Sequence, residues 1–260
     1  MFYFIINPVA GTGKFPELEM KFREYLEQFG IEGEFAKTIS SGDGMHLARV
    51  GLKKGYDKIV CVGGDGTVNE LVNGIAGSDV LLGIIPFGKE NTIAKALGIP
   101  SNWKDAVKVL LSEEKRFFRL GLLGERLFVG VVGIGNKSLK QEKTVLGRKD
   151  ATEIEAYQVT LKVDDSLHLN SNILNVSMVN ANWRSSNVFS PLRFNPQDDK
   201  LEIMINSLGE GEDPFSYLRA SKIEISSQEL LPVHIDYDGV RMQTPFTVEM
   251  SDLKQYFMVA

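Results

Sequence analysis

Across 260 residues this chain has one cysteine, three histidines, no excess of basic residues and no long apolar run. Each shortage closes a class of function. Cys61 alone cannot form an intramolecular disulfide, which fits a reducing, cytoplasmic location. It sits inside an apolar stretch, where a small buried hydrophobe is expected rather than a nucleophile. His46, His168 and His234 are scattered and show no zinc-ligand spacing. The formal net charge of -5 offers no basic field for a phosphate backbone, so nucleic acid is not an expected partner. No apolar stretch approaches the roughly 18–20 residues of a membrane span, and a soluble protein is expected. Met1 to Ile6 lacks a basic n-region and reaches Asn7-Pro8 too soon for a signal peptide. There are no internal repeats. What is present, 43% hydrophobic and 24% charged residues, suffices for a buried core in one large domain or two.

The periodicity changes along the chain. In the first part, short apolar runs at 2–6, 34–36, 58–62 and 80–85 alternate with helical patterns. Residues 16–29 place Leu18, Phe22, Tyr25, Leu26 and Phe29 on one face, and further helices are expected after Ser40-Ser41-Gly42-Asp43, after Thr67, and at 91–97 and 102–112. This is the pattern of a parallel sheet flanked by helices. From about residue 116 the period becomes two, with runs at 157–163, 172–179, 201–205, 222–226, 233–237 and 246–250. The expected architecture is therefore an α/β domain over 1–115 followed by an antiparallel β-sandwich or barrel over 116–260. The polar, lysine-rich stretch 136–153 reads as a solvated loop in preference to a contact with an anionic surface.

Three glycine-bearing loops leave the carboxyl ends of predicted strands: Asn7 to Lys14, Gly63 to Asn69, and Pro86 to Thr92. In an open parallel sheet that edge is where ligands bind. The central loop, Val62-Gly63-Gly64-Asp65-Gly66-Thr67-Val68-Asn69, joins a buried strand to a helix start. Its glycines allow close backbone approach, and its free amides suit a phosphate. Asp65 repels phosphate directly; it fits as a group acting through Mg²⁺ or water, as one orienting a hydroxyl, or as a helix cap. Thr67 and Asn69 favour the nucleotide reading. No loop matches Gly-x4-Gly-Lys-Ser/Thr, and no Gly-x-Gly-x-x-Gly follows a strand.

Together these loops resemble the diacylglycerol kinase catalytic family, which includes bacterial lipid kinases and sphingosine kinases and shares its Gly-Gly-Asp-Gly-Thr core with NAD kinases. Asn7-Pro8 with the glycines after it resembles the opening motif, and Thr38 before Gly42-Asp43 resembles a nucleotide-contacting threonine. Gly63 to Glu70 with Asn73-Gly74 is similar to the nucleotide motif, and Gly88 to Thr92 running into Leu97-Gly98-Ile99-Pro100 to the second nucleotide loop. The resemblance implies an ATP-binding α/β domain, a β-sandwich after it, and an active site in the cleft between them. ATP would lie among Asn7, Gly11, Thr38, Gly63, Gly64, Asp65, Gly66, Thr67, Asn69, Lys89 and Asn91. Asp198-Asp199-Lys200-Leu201-Glu202-Ile203 resembles a segment whose first Asp serves a structural Mg²⁺. Asp238-Gly239 resembles the start of an Asp-Gly-Glu motif whose Asp accepts the substrate hydroxyl's proton. With Asp236 two positions earlier on one strand, Asp238 could also form a carboxylate pair, or mark a solvated turn.

The departures are local. Lys89 stands where the family has threonine, and either contacts phosphate or fills the nucleotide pocket. Asp199 and Val240 replace a glycine and a glutamate, and Ser185-Ser186-Asn187 replaces a glycine-rich stretch. The leading expectation is an ATP- and Mg²⁺-dependent kinase of a hydroxyl acceptor of the diacylglycerol type, with Asp65 and Asp238 in catalysis. It would be cytoplasmic, with contact to a membrane surface left open. The second is a nucleotide-binding regulatory protein of the same fold that has lost catalysis. An NAD-kinase-like enzyme ranks below both, because Gly88 to Pro100 resembles the lipid-kinase branch.

Overall fold

The computed structural model describes residues 1–135, 155–180, 195, 197–207, 215–236 and 238–260. The 136–153 stretch and Ser185-Ser186-Asn187 lie outside them. The chain divides into two compact units. Met1–Leu120 and Asp252–Ala260 fall in the first, and Gly121–Asn180 with the described residues from Asn195 to Ser251 in the second.

The first unit alternates strand and helix: β1 (Phe2–Ile6), α1 (Phe15–Gln28), β2 (Gly33–Lys37), α2 (Asp43–Lys53), β3 (Lys58–Gly63), α3 (Asp65–Ile75), β4 (Leu81–Pro86), α4 (Thr92–Ala96) and α5 (Trp103–Val109). β1, β3 and β4 are continuous apolar runs because helices cover both faces, and Ile59 to Val62 are fully buried. The sheet runs β4-β3-β1-β2, all parallel. α1 starts with proline in its first turn, where the missing N–H costs nothing. It presents Phe15, Phe22 and Leu26 to the sheet, and Gly30, at φ 64°, ends it. Phe4 is fully buried between Phe35, stacked at 4.9 Å, and Phe22, edge-on at 6.1 Å.

The second unit is antiparallel. It begins within β5 (Lys115–Leu123) and continues through β6 (Arg126–Phe128), β7 (Val131–Gly135), β8 (Tyr157–Val163), β9 (Leu167–Val179), β10 (Leu201–Ser207), β11 (Phe215–Ala220), β12 (Lys222–Ser226), β13 (Leu231–Ile235), β14 (Asp238–Met242) and the start of β15 (Phe246–Met258). The long β9 belongs to two sheets. Its first half pairs with β8, which pairs in turn with β12. Its second half lies between β7 and β10, with β13 beyond β7 and β11 beyond β10. One core of alternating residues, from Val132 and Ile134 through Met178 and Ile203 to Val248, lies between the sheets. The sandwich is the one that the period-two pattern predicts.

Two elements depart from expectation. The predicted strand 233–237 stops at Ile235, because Asp236 has φ 42°, a left-handed conformation that turns the chain into β14. The end of β15 returns to the first unit and runs parallel to β4, Tyr256 opposite Leu81 and Phe257 opposite Leu82. There Phe257 packs on Phe118 of β5, centroids 5.6 Å apart.

Because Phe4 is locked between two rings, Phe4→Ala should lower the unfolding free energy by about 3–5 kcal/mol. Chemical denaturation monitored by circular dichroism measures this; a change under about 1 kcal/mol would contradict the packing described.

Candidate functional site

The loops after β1, β3 and β4 meet through backbone, and glycine makes the meeting possible. A Cβ on Gly64 would lie 2.9 Å from the Cα of Gly88, and one on Gly88 2.6 Å from the Cα of Gly64. Gly11, at φ 64°, presses against the carbonyl of Phe87. Hydrogen bonds close the set. Asn7 Nδ2 donates to Thr67 Oγ1 at 3.0 Å, and the Asn7 amide to the Val62 carbonyl at 2.9 Å. The Phe87 amide donates to the Gly63 carbonyl at 2.8 Å. Asn91, itself at φ 50°, accepts from the Gly88 amide and donates back to its carbonyl.

Asp65 is the centre of this arrangement. Its carboxylate accepts from the amides of Thr92, at 3.0 Å, and Ile93, at 2.9 Å, and so caps α4 from another loop. Burial raises its pKa above the usual carboxylate range, opposed by those two hydrogen bonds. Of the alternatives open in the sequence, the helix cap describes where the side chain points. Each oxygen keeps a second lone pair, which suffices for one water or one Mg²⁺ brought in by nucleotide phosphates.

Helix starts differ around this edge. Glu70 accepts from the Gly42 and Gly44 amides, at 2.8 and 2.9 Å, and so fills the start of α2. Asp65 fills α4, and Asn102 caps α5. Among the described residues, the N-cap residues of α1 and α3, Lys14 and Gly64, supply no side-chain cap. Their orphan amides face the loop edge with the positive end of the helix dipole.

The remaining candidates divide into holders and exposed groups. Thr67 and Asn69 are buried, Thr67 against Asn7 and Asn69 against Asn73. Thr38 is buried at the end of β2, its amide bonded to the Ile6 carbonyl. Gly66 lies in the first turn of α3. Lys89 is exposed and makes no hydrogen bond or ion pair with the described residues. A cavity of about 440 Å³ opens at the opposite, amino edge of the strands, lined by Glu34, Lys54 and Tyr56, which satisfy one another.

In the second unit the expected carboxylate pair does not form on one strand. Asp236 is in the turn, and its carboxylate is drawn to the chain before β7, accepting from the amides of Val129, Gly130 and Val131 at 2.7–2.9 Å. The left-handed φ of Asp236 carries no sequence signal, so period-two alternation placed it beside Asp238. Asp238 opens β14 opposite Ile235; its side chain lies outside the described residues. Asp198 meets a cation of the chain itself: Arg219 Nη2 lies 2.6 Å from Oδ2, and the Lys200 amide donates to Oδ1. Arg219 Nε is also 2.6 Å from Glu202 Oε1. A guanidinium stands where a metal would draw the carboxylates together, and no group of three potential ligand side chains is assembled among the described residues. These residues do not fit a resident Mg²⁺.

The family model for the diacylglycerol kinase catalytic domain matches residues 1–123. Over that stretch the chain is similar to members of this family. A diacylglycerol kinase of Bacillus subtilis (strain 168) is 34% identical over 134 residues, which are 50% of this chain and 44% of the relative. One from Staphylococcus haemolyticus is 36% identical over 133 residues, 50% of this chain and 40% of the relative. The matched stretch thus spans about half the length of these relatives or less. The fold match is longer. A solved diacylglycerol kinase from Bacillus anthracis covers 100% of this chain and 96% of its own, at TM-score 0.77 and 23% identity. An NAD kinase from Archaeoglobus fulgidus, solved in complex with ATP, covers 99% and 93% at TM-score 0.63 and 16% identity. Among the described residues no helix is long and apolar enough to cross a membrane.

Two outcomes follow from this geometry. Gly88→Ala forces the second and third loops apart and should weaken nucleotide binding about tenfold or more by calorimetry; unchanged affinity would separate these loops from the nucleotide. Asp65 has a folded pKa above its unfolded value, so its stabilising contribution is complete below about pH 4 and is lost as pH rises through the folded value. Asp65→Asn should flatten that part of the stability–pH profile while costing about 1 kcal/mol for the damaged cap. Denaturation midpoints across pH 4–8 measure both; an unchanged slope would place the titration elsewhere.

Proposed function

We propose that this protein is an ATP-dependent kinase that phosphorylates a hydroxyl-bearing lipid of the diacylglycerol type, with Mg·ATP as co-substrate. The observation that carries the proposal is the family-matched turn at Gly63–Thr67, held by backbone contact to the third loop and by the Asn7–Thr67 hydrogen bond to the first, and opening α3 at Gly64, which has no side chain to cap it. Uncapped amides on a rigid turn are suited to phosphate oxygens. The starts of α2 and α4, by contrast, are already filled by carboxylates.

In this mechanism the α3 turn and the Asn7–Lys14 loop bind the phosphates. Asp65 acts mainly as a positioning residue, holding the third loop against the second, and its remaining lone pairs would hold water or the ion carried by ATP. The acceptor oxygen attacks the γ-phosphorus in line, the bond to the β-phosphate oxygen breaks, and ADP leaves. We assign the hydroxyl proton to the Asp238 carboxylate. Phosphoryl transfer asks chiefly for positioning and charge stabilisation, which rigid loops rich in N–H groups supply. Exposed Lys89 is free to swing toward the phosphates as a compact cation.

ATP turnover against a panel of lipid alcohols and small polyols tests the proposal. Wild type should transfer phosphate to at least one lipid alcohol, with kcat lowered about 10²-fold or more in Asp238→Asn. Asp65→Ala should lose nucleotide affinity as well as rate. Nucleotide binding without turnover would favour a regulatory protein that has lost catalysis, a reading that Val240 in place of a glutamate already motivates. No nucleotide binding at all would remove both.

A further inference from the structure

Arg219 occupies the point at which three parts of the second unit meet. On β11 it lies directly opposite Glu202 of β10 in the antiparallel register. Its Nε is 2.6 Å from Glu202 Oε1, and its Nη2 is 2.6 Å from Asp198 Oδ2. Asp198 belongs to the turn that leads into β10, where its amide donates to the Asn195 carbonyl and its Oδ1 accepts from the Lys200 amide. One planar guanidinium thus bridges a carboxylate on a strand and a carboxylate in the turn before it.

A second cation repeats the pattern beside the first. Lys200 Nζ lies 3.2 Å from Asp164 Oδ2. Asp164, at φ 44°, turns β8 into β9, and its Oδ1 accepts from the amides of Ser221 and Lys222, both at 2.9 Å. The turn before β10, the β8–β9 turn and the corner between β11 and β12 are therefore tied together by acids whose counter-ions are side chains. Glu202 sets how much depends on the tie. It is 2% exposed, and neither of its oxygens accepts a hydrogen bond among the described residues, so the charge of Arg219 is what offsets its burial. A buried carboxylate stripped of its counter-charge is strongly destabilising.

Two carboxylates drawn together need either a hard divalent ion or a cation of the chain. Two features select the second here. A guanidinium keeps its charge at any working pH, and its fork reaches two acids at once. Its nitrogens also fill the space between the carboxylates, which a Mg²⁺ with an octahedral shell of oxygens at about 2.1 Å cannot share. We propose that Arg219 replaces a structural divalent cation in the second unit, so that this corner folds and persists without metal. The resemblance of the Asp198 segment implied a Mg²⁺; this chain has exchanged it for an internal cation. Removing the guanidinium uncovers the site, because Asp198 and Glu202 then present oxygens that a divalent ion can bridge, directly or through water. The ion that ATP would carry belongs to the loops of the first unit, so the exchange stands whether or not the chain is a kinase.

Thermal denaturation of the nucleotide-free full chain, in EDTA and in millimolar MgCl₂, tests the exchange. Wild type should melt at the same midpoint in both. Arg219→Met keeps the apolar stem and removes the charge; in EDTA it should melt about 5 °C lower or more. Mg²⁺ should restore part of that loss in the variant while leaving wild type unmoved. The triple variant Asp198→Asn, Glu202→Gln, Arg219→Met removes the acids together with their counter-ion. It should melt above Arg219→Met in EDTA and show no response to Mg²⁺, and it carries the comparison if Arg219→Met alone does not fold. A wild-type midpoint lowered by EDTA would overturn the proposal, as would an Arg219→Met midpoint equal to that of wild type. So would a triple variant no more stable than Arg219→Met. An Arg219→Met midpoint that Mg²⁺ leaves unchanged would reveal an ordinary ion pair and overturn it equally.

Discussion

The two hydrogen bonds that Asp65 accepts from Thr92 and Ile93 tie the start of α3 to the start of α4, and the loop edge of the first unit depends on that tie. With the Phe87-to-Gly63 hydrogen bond it holds Gly64 and Gly88 at backbone contact, since neither glycine offers a side chain to the other. A buried carboxylate is costly, so its persistence demands compensation. Here the helix that it caps supplies the compensation, two aligned amides and a dipole end. The same residue leaves the α3 start open, because it points toward α4 instead of folding back on its own first turn. One side chain therefore both fixes the site and keeps it available to an anion.

Much of the first unit was legible in the sequence because its signals are redundant. The apolar runs at 2–6 and 58–62 are too continuous for a half-exposed strand and too short for helices, so β1 and β3 could be placed closely. Loop convergence followed from topology alone. What each loop residue does there was less legible. Thr67 and Asn69 have the chemistry of ligand contacts, yet they are spent on Asn7 and Asn73, and the pattern Gly-Asp-Gly-Thr cannot distinguish the two uses. Glu70 in the cap of α2 was equally hidden, since its partners lie 26 and 28 residues earlier in the chain.

In the second unit, alternation located the strands and misjudged a corner. A left-handed φ at a non-glycine residue is held by the fold and has no periodic signature. Asp236 adopts it because three amides of residues 129–131 reward the carboxylate once the turn is made. At Asp198 the acid itself was visible, but its partner Arg219 comes from a strand 21 residues away, and a cation in that place changes what the acid can bind. Both cases have one origin: the sequence lists charges, while pairing across strands decides which remain available.

The end of β15 carries a consequence for how the chain is made. The edge of β4 that faces away from β3 is covered by Tyr256 and Phe257, residues separated from β4 by the entire second unit in sequence. During synthesis from the amino terminus, every other strand of that parallel sheet emerges long before this one. A ribosome-bound chain can thus assemble β1 to β4 around their core while β4 still presents unpaired amides and carbonyls. Until Tyr256 and Phe257 arrive, that edge is a template for any strand that meets it. Of the two units, the first begins to emerge earlier and is completed later.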